Sequence, residues 1–224
     1  IAIYAMLAHS LNIITGHAGQ ISLGHAAFYG MGAYLSAILT TTYHFPPWPT
    51  IAIAMLATGV VAYFVGYPSL KLRGHYLVMA TLGFGIIINI FMVEFDKITG
   101  GPSGFPGIPN LSIGNLMFDN DFKNFYLIWT FAFFSILVSL NLVNSRVGRA
   151  LRAIHGSEVA ANTLGVDTDK YKTKVFVLSA VFASLSGSLY AHYMTFISPR
   201  SFDFYYSIQV VTMVIVGGMG SIWG

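Results

Sequence analysis

The sequence predicts an all-α integral membrane protein, a polytopic helical bundle, and three observations carry that prediction. Of 224 residues, 55% are hydrophobic and only 8% charged, where an ordinary soluble domain carries about 25% charge. Mean hydropathy is +0.69, and so few charges would not cover a water-facing surface. The 11 basic and 8 acidic residues all fall between apolar runs long enough for bilayer-crossing helices, which need about 20 residues each. The runs lack the alternation of apolar and polar positions that a membrane strand requires.

The first run is partial, at about 1–15. A second covers about 20–42 and holds small residues at helical spacing: Ala26/Gly30 and Ala33/Ala37 permit close helix crossing. Gln20, Ser22 and His25 are polar at or inside the start of this run, so they should face protein or water. They are candidates for a translocation path, with packing of the small residues as the plainer reading of the segment. Phe45–Pro49, "FPPWP", reads as a rigid turn before the third run, 49–67. The fourth run, 76–93, carries Thr81 and Asn89 eight residues apart on one face, further path candidates, and Gly83 and Gly85 should loosen it.

An outer loop at about 94–124 follows, with the turn-rich stretch "TGGPSGFPGIPN" at 99–110. Its Gly100, Gly101 and Gly104 are candidates for a rim or gate. A fifth run covers 125–143, a sixth 175–197, and a last one, 204–219, is interrupted by glycines and ends in "VGGMGSIWG".

Orientation follows from the basic residues. Segments 68–75 and 144–174 lie on one side, with Lys71, Arg73, Arg146, Arg149, Arg152, Lys170, Lys172 and Lys174. The opposite side holds Lys97, Lys123 and Arg200 with Glu94, Asp96, Asp119, Asp121 and Asp203. The first side is therefore cytoplasmic and 94–124 is outside. Tyr43, Trp48, Tyr67, Tyr76, Tyr126, Trp129 and Tyr171 fall near the ends of the runs, as interfacial aromatics do. The net charge of +3 is a topology signal and calls for no nucleic-acid partner.

The same reading excludes most catalytic classes. There is no GxxxxGK[ST] loop for ATP, no HExxH and no GxSxG. His9, His17, His25, His44, His75, His155 and His192 lack metal-ligand spacing, and with no cysteine there is no thiolate site. No run contains an Asp, Glu, Lys or Arg for proton coupling. The chain reads as neither an enzyme nor a proton-driven pump, and no metal or cofactor is expected on it.

The stretch Arg146–Asp167, "RVGRALRAIHGSEVAANTLGVD", stands apart. It reads as one amphipathic helix of roughly 15 residues at about 147–165, with Leu151, Ile154, Ala161 and Leu164 in an apolar stripe. Ala150 and Ala160 lie near the stripe; Arg149, Arg152 and Glu158 lie off its centre. Gly165 should cap its C-terminus in a left-handed conformation. Such a helix can lie on lipid headgroups or pack its small residues into a protein groove.

"EVAANTLGVD" resembles the cytoplasmic coupling motif of ABC importer permeases: Ala160, Ala161 and Gly165 fit its spacing, while Glu158 stands one residue early. "LNIITGHAGQISLGHAAFYGMGAYLSAIL" (11–39), "LRGHYLVMATLGFG" (72–85), "TGGPSGFPGIP" (99–109) and the stretch from Val147 to Gly224 are similar, in order, to branched-chain amino acid ABC permeases, specifically the M-type membrane subunit. The resemblance covers nearly the whole chain. It implies one transmembrane domain over 1–224, a piece of a permease of about 8–10 spans, in the inner (cell) membrane. It implies three protein partners: cytoplasmic ABC ATPase subunits holding ATP and Mg²⁺, a second, H-type permease subunit, and an external substrate-binding protein. Residues Arg149, Leu151, Ile154, Glu158, Ala160, Ala161, Leu164 and Gly165 would form the ATPase-coupling helix. Related scaffolds import urea, short amides or sugars, and an ATP-independent channel or carrier is the reading from another class.

Overall fold

The computed structural model describes residues 1–72, 74–113, 116–118 and 120–221. Arg73, Asp119 and the closing Ile222–Gly224, used above for orientation and for the last motif, lie outside the described residues. The helices are α1 (Ala2–Ala18), α2 (His25–Thr41), α3 (Pro47–Ser69), α4 (His75–Glu94), α5 (Asp96–Thr99), α6 (Asp121–Asn144), α7 (Arg146–Gly156), α8 (Glu158–Thr163), α9 (Thr168–Met194) and α10 (Phe204–Gly217). Among the described residues α3, α4, α6 and α9 are long and apolar enough to cross a membrane, and α10 is a shorter apolar helix. The protein is an all-α polytopic membrane protein, as expected from the charge-free runs.

Two small antiparallel ladders occur in the connections. β1 (Phe105–Pro106) pairs with β4 (Phe196–Ile197), and β2 (Ser112–Ile113) pairs with β3 (Leu116–Met117). The prolines of "FPPWP" form the first turn of α3, with Pro47 at its first position, where no backbone N–H is needed.

Helix α9 is the centre of the bundle, packed by α1, α2 and α3. It carries serine and glycine where a lipid-facing helix would carry leucine. Ser179, Ser184, Ser186, Gly187 and Ser188 are all buried. At the α2 crossing Gly187 lies against the Tyr29 carbonyl, Gly32 lies against the Ser184 backbone, and Ser188 Oγ donates to the Gly32 carbonyl at 3.0 Å. A side chain at either glycine would collide with backbone, so these positions set how closely the helices approach. The pairs Ala26/Gly30 and Ala33/Ala37 are buried as expected, but the closest backbone contact falls on Gly32 and Gly187.

Several other polar groups of the core are satisfied in pairs. His25 Nε2 lies 3.1 Å from both Ser10 Oγ and Ser179 Oγ. His192 Nε2 lies 2.8 Å from Ser36 Oγ, and Thr58 Oγ1 donates to Ser184 Oγ at 3.1 Å. Leaving such groups unpaired in hydrocarbon would cost several kcal/mol each, roughly. Helix α4, by contrast, touches the bundle along one narrow side and turns Tyr76, Met79, Ile87 and Ile90 outward.

Candidate functional site

The basic end of the bundle is covered by two short helices, where one was expected. Ser145 begins α7, its Oγ accepting the Val147 N–H at 3.1 Å. Ser157 begins α8 by accepting the Ala160 N–H at 3.3 Å, with extended backbone at φ −163°. Gly156–Ser157 therefore breaks the stretch 147–165: a serine gains more as an N-cap than within a helix. Gly148 lies against the Val143 backbone, which lets α7 fold back on the end of α6. Gly165 does adopt the left-handed conformation, φ 82°, and Val166 N–H closes on the Ala161 carbonyl at 3.0 Å.

The apolar stripe faces inward. Leu151, Ile154 and Ala161 are buried within the chain itself, whereas Leu164 is 83% exposed and does not belong to the stripe. The break at Ser157 resets the helical register, so positions read as one face end on two. Arg149, Arg152, Ala160 and Gly165 are exposed, and Glu158 is partly buried. The outward surface thus consists of Val159, Ala160, Asn162, Thr163 and Leu164 beside the arginines of α7. Two bare apolar side chains, Val159 and Leu164, stand on a basic, water-level surface.

At the foot of α9, Asp167 Oδ1 caps the Lys170 N–H at 3.2 Å, and its carboxylate meets the Lys170 ammonium at 2.7 Å. The side-chain hydrogen bond from Lys170, then the backbone one, holds the Asp167 carboxyl below the ordinary carboxylate range.

Deeper in the bundle two crossings are interrupted. The run at 20–42 is not helical from its start: α1 ends at Gly19, φ 66°, residues 20–24 are non-helical, and α2 begins at His25. After α9, residues 195–203 return into the bundle before α10 begins. Phe202 packs on Tyr29, and the Ala26 N–H at the head of α2 donates to Ser207 Oγ at 3.3 Å near the head of α10. The two helices thus start close together and run to opposite ends. Non-helical backbone at membrane depth is tolerated where protein covers it.

Thr81 and Asn89 of α4 hold one interruption each. Thr81 Oγ1 accepts the Leu23 N–H at 3.1 Å. Asn89 Nδ2 donates to the Pro199 carbonyl at 3.2 Å. Gly85 lies beside Gly24 and Leu23, and α4 stays helical through both Gly83 and Gly85, contrary to the expected loosening; at Gly85 the small residue allows backbone contact, not a bend. Of the other path candidates, Gln20 is partly buried and donates to the Ala18 carbonyl at 3.4 Å. Ser22 is buried with no hydrogen-bond partner for its Oγ among the described residues. His25 is fully buried and held by its two serines.

Asp203 corrects the sequence reading, which placed it in an outer loop. It caps α10, accepting the Tyr206 N–H at 3.0 Å, and lines a crevice of about 10 Å³ with Leu23, Leu82, Gly85, Ile86 and Ser207. Leu82–Ile86 is the middle of α4, so an acid sits at half depth. An N-cap aspartate before an apolar run was a legible signal; its depth was not.

At the opposite end, β1–β4 pairing joins the outer loop to the chain after α9. Gly100, Gly101 and Gly104 come together around a short turn, each at positive φ. Gly104 lies against Phe196 and the Ile197 carbonyl, and this strand-to-strand contact needs the bare backbone. His192 Nδ1 meets the Pro109 carbonyl at 2.8 Å, and Trp48 Nε1–H donates to the Ser112 carbonyl at 2.7 Å. No metal-binding cluster exists among the described residues.

The fold is thus an all-α membrane bundle with two interrupted helical stretches and a capped two-helix element at its basic end. The chain belongs to the family described as branched-chain amino acid transport system / permease component, whose model matches residues 1–224. It is 35% identical to the high-affinity branched-chain amino acid transport system permease protein LivM of Escherichia coli K12, over 98% of this chain and 57% of that protein. To LivM of Salmonella typhimurium it is 34% identical over the same shares, 98% and 57%. It is 26% identical to the permease protein LivH of Escherichia coli K12, over 99% of this chain and 76% of LivH. The chain therefore spans 57% of the length of the LivM relatives. No solved structure matches it.

Proposed function

We propose that this chain is a membrane-spanning part of the permease subunit of an ATP-driven importer of branched-chain amino acids in the cell inner membrane. The basic end is cytoplasmic and docks separate ABC ATPase subunits, which hold the ATP and Mg²⁺. A second, H-type permease subunit completes the pathway, and an external binding protein delivers substrate near the 94–124 loop. The chain itself hydrolyses nothing.

The observation that carries this reading is the α7–α8 element. It is capped at both starts by serines, seated on its own bundle through Leu151, Ile154 and Ala161, and presents Val159 and Leu164 outward. A helix resting on lipid would point its apolar stripe away from the bundle; here the stripe is already used. Two apolar side chains on a rigid basic platform suit a cleft in a soluble partner. Closing of the ATPase pair displaces the platform, and α1, α6 and α9, which are continuous with or packed on it, follow. ATP favours one permease state only so far as the closed ATPase pair binds that state better. The interrupted crossings, pinned by single hydrogen bonds from Thr81 and Asn89, are the segments such a displacement can rearrange.

The test replaces Leu164 and Val159 by glutamate in the full-length importer. Loss of ATPase co-purification with normal membrane insertion is expected. Retained co-purification, or leucine uptake by the purified complex without ATP, overturns the docking assignment. Ala161→Glu is unsuited, because Ala161 is 2% exposed and its loss would damage folding. A binding panel of amino acids, amides and sugars on the cognate external receptor decides the cargo.

A further inference from the structure

Lys172 is a lysine with 1% of its side chain exposed. Lysine is almost never fully buried unless paired, and this one is paired three ways. Its Nζ donates to the Leu70 carbonyl at 2.8 Å and to Glu158 Oε1 at 2.7 Å, and Asp169 Oδ1 lies 3.7 Å away. Each partner belongs to a different element. Leu70 is the C-cap of α3, where unpaired carbonyls carry the negative end of the helix dipole. Glu158 opens α8, the element with the outward apolar side chains. Asp169 is one turn back on α9 itself. An ammonium has three protons; this one donates to the end of α3 and to the start of α8, while the Asp169 carboxylate on its own helix adds opposite charge at 3.7 Å.

From this geometry we infer that Lys172 is a positioning residue of the transport cycle: it ties the docking element α8 to the end of α3, so that displacement of one is delivered to the other. The inference rests on the importer reading above. The bridge is short, charge-assisted and shielded from water, conditions under which an ion pair is directional and resists slippage. A hydrophobic contact would let α8 slide over α3; two short hydrogen bonds from one nitrogen, one to each element, hold them at a fixed distance. Covalent continuity already links α7 to α6 and α8 to α9. Helix α3 has no such connection to the docking element, and Lys172 supplies one.

The experiment uses the complete importer in lipid vesicles with leucine and its external receptor. Lys172→Gln removes the ammonium. Because that variant can fail to fold, Glu158→Gln is made alongside; it leaves the Leu70 and Asp169 contacts in place. Each is examined for ATP hydrolysis, for leucine moved per ATP, and for the distance between spin labels at Gly156→Cys, an exposed position just before α8 with nothing within 4 Å, and Leu72→Cys beyond α3. The expected result is hydrolysis within about twofold of wild type, leucine per ATP lowered about tenfold, as for an ordinary coupling free energy, and a label distance that broadens and becomes nucleotide-dependent. Unchanged leucine per ATP in a folded variant overturns the inference. So does loss of hydrolysis and uptake together with an unchanged label distance, which would make Lys172 a support of ATPase binding. Uptake without ATP in the wild type would sink the importer reading alone, because the label distance would still report whether Lys172 ties α8 to α3.

Discussion

Helices α4 and α9 invert the rule learned from soluble proteins. Among the four long helices the most apolar stretch belongs to α4, mean hydropathy 2.2, and only 17% of it is buried. The apolar window of α9 has mean hydropathy 1.5, the lowest of the four long helices, and 78% of it is buried. In water the apolar face turns inward because burial removes it from solvent. In a bilayer the tails outside are as apolar as leucine, so that driving force between helices is absent. What selects the central helix is then the ability to approach closely and to exchange hydrogen bonds. Gly187 with Ser179, Ser184 and Ser188 provides both in α9. Helix α4 has polar groups at only two depths, Thr81 and Asn89, and each holds an interrupted crossing; the rest of its surface is turned outward.

The contrast can be broken most severely at the glycines. Gly187→Leu places a side chain against the Tyr29 carbonyl and is expected to abolish a monodisperse, folded protein, at a cost of about 3 kcal/mol or more. Gly83→Leu on α4, where nothing lies within 4 Å, should leave the elution profile and thermal midpoint unchanged. If the two behave alike, α9 is not the packing centre.

Next comes His25→Ala, which removes the contacts to Ser10 and Ser179 and leaves a buried cavity. A loss of about 2–4 kcal/mol is expected, read as a lowered thermal midpoint in detergent. A midpoint unchanged by this substitution would make His25 a path residue held loosely, contrary to its burial.

Smaller effects belong to the interruptions. Thr81→Val frees the Leu23 N–H and should cost about 1 kcal/mol, visible as faster hydrogen exchange at residues 20–24 while the rest of α2 is unaffected. Asp203→Ala removes the cap of α10 at a cost of about 1 kcal/mol, and Asp203→Asn, an equally good cap, should restore it. Failure of asparagine to restore the midpoint would show that the charge at half depth, not the cap, is the stabilising feature. The least effect is expected from Ile87→Ala, a 65% exposed position on α4: within about 0.5 kcal/mol, as for surface substitutions away from special features.

Much of the fold could be read along the chain because it is written in local terms. Charge-free runs gave α1, α3, α4, α6 and α10 close to their observed bounds, while α9 begins at Thr168, inside the charged stretch before the 175–197 run; positive φ at Gly165 followed from its place after an alanine-rich helix. Three misreadings share one cause. Residues 20–24 have the composition of a helix start, yet their N–H at Leu23 goes to Thr81, 58 residues away. The return of 198–203 is held by Asn89, 110 residues from Pro199, so Asp203 was placed outside. The stripe of α7–α8 was taken for a partner surface because periodicity finds an apolar face without saying what covers it. Lys172 looked like one of several basic residues in a polar stretch; only its hydrogen bonds to Leu70 and Glu158 distinguish it from Lys170 and Lys174.

By itself the sequence determined that this is an all-helical membrane bundle, which stretches are free of charge, which end is basic and that Gly165 ends a helix, since each of these depends on residues within a turn or two of the position concerned. The tertiary structure decided which helix is central, where two crossings break, how deep Asp203 lies, which way α7 and α8 face and that Lys172 joins the end of α3 to the start of α8. Those depend on the depth and identity of distant hydrogen-bond partners. In a medium that offers no water to satisfy a stray backbone or charge, such partners alone decide where a polar group can rest.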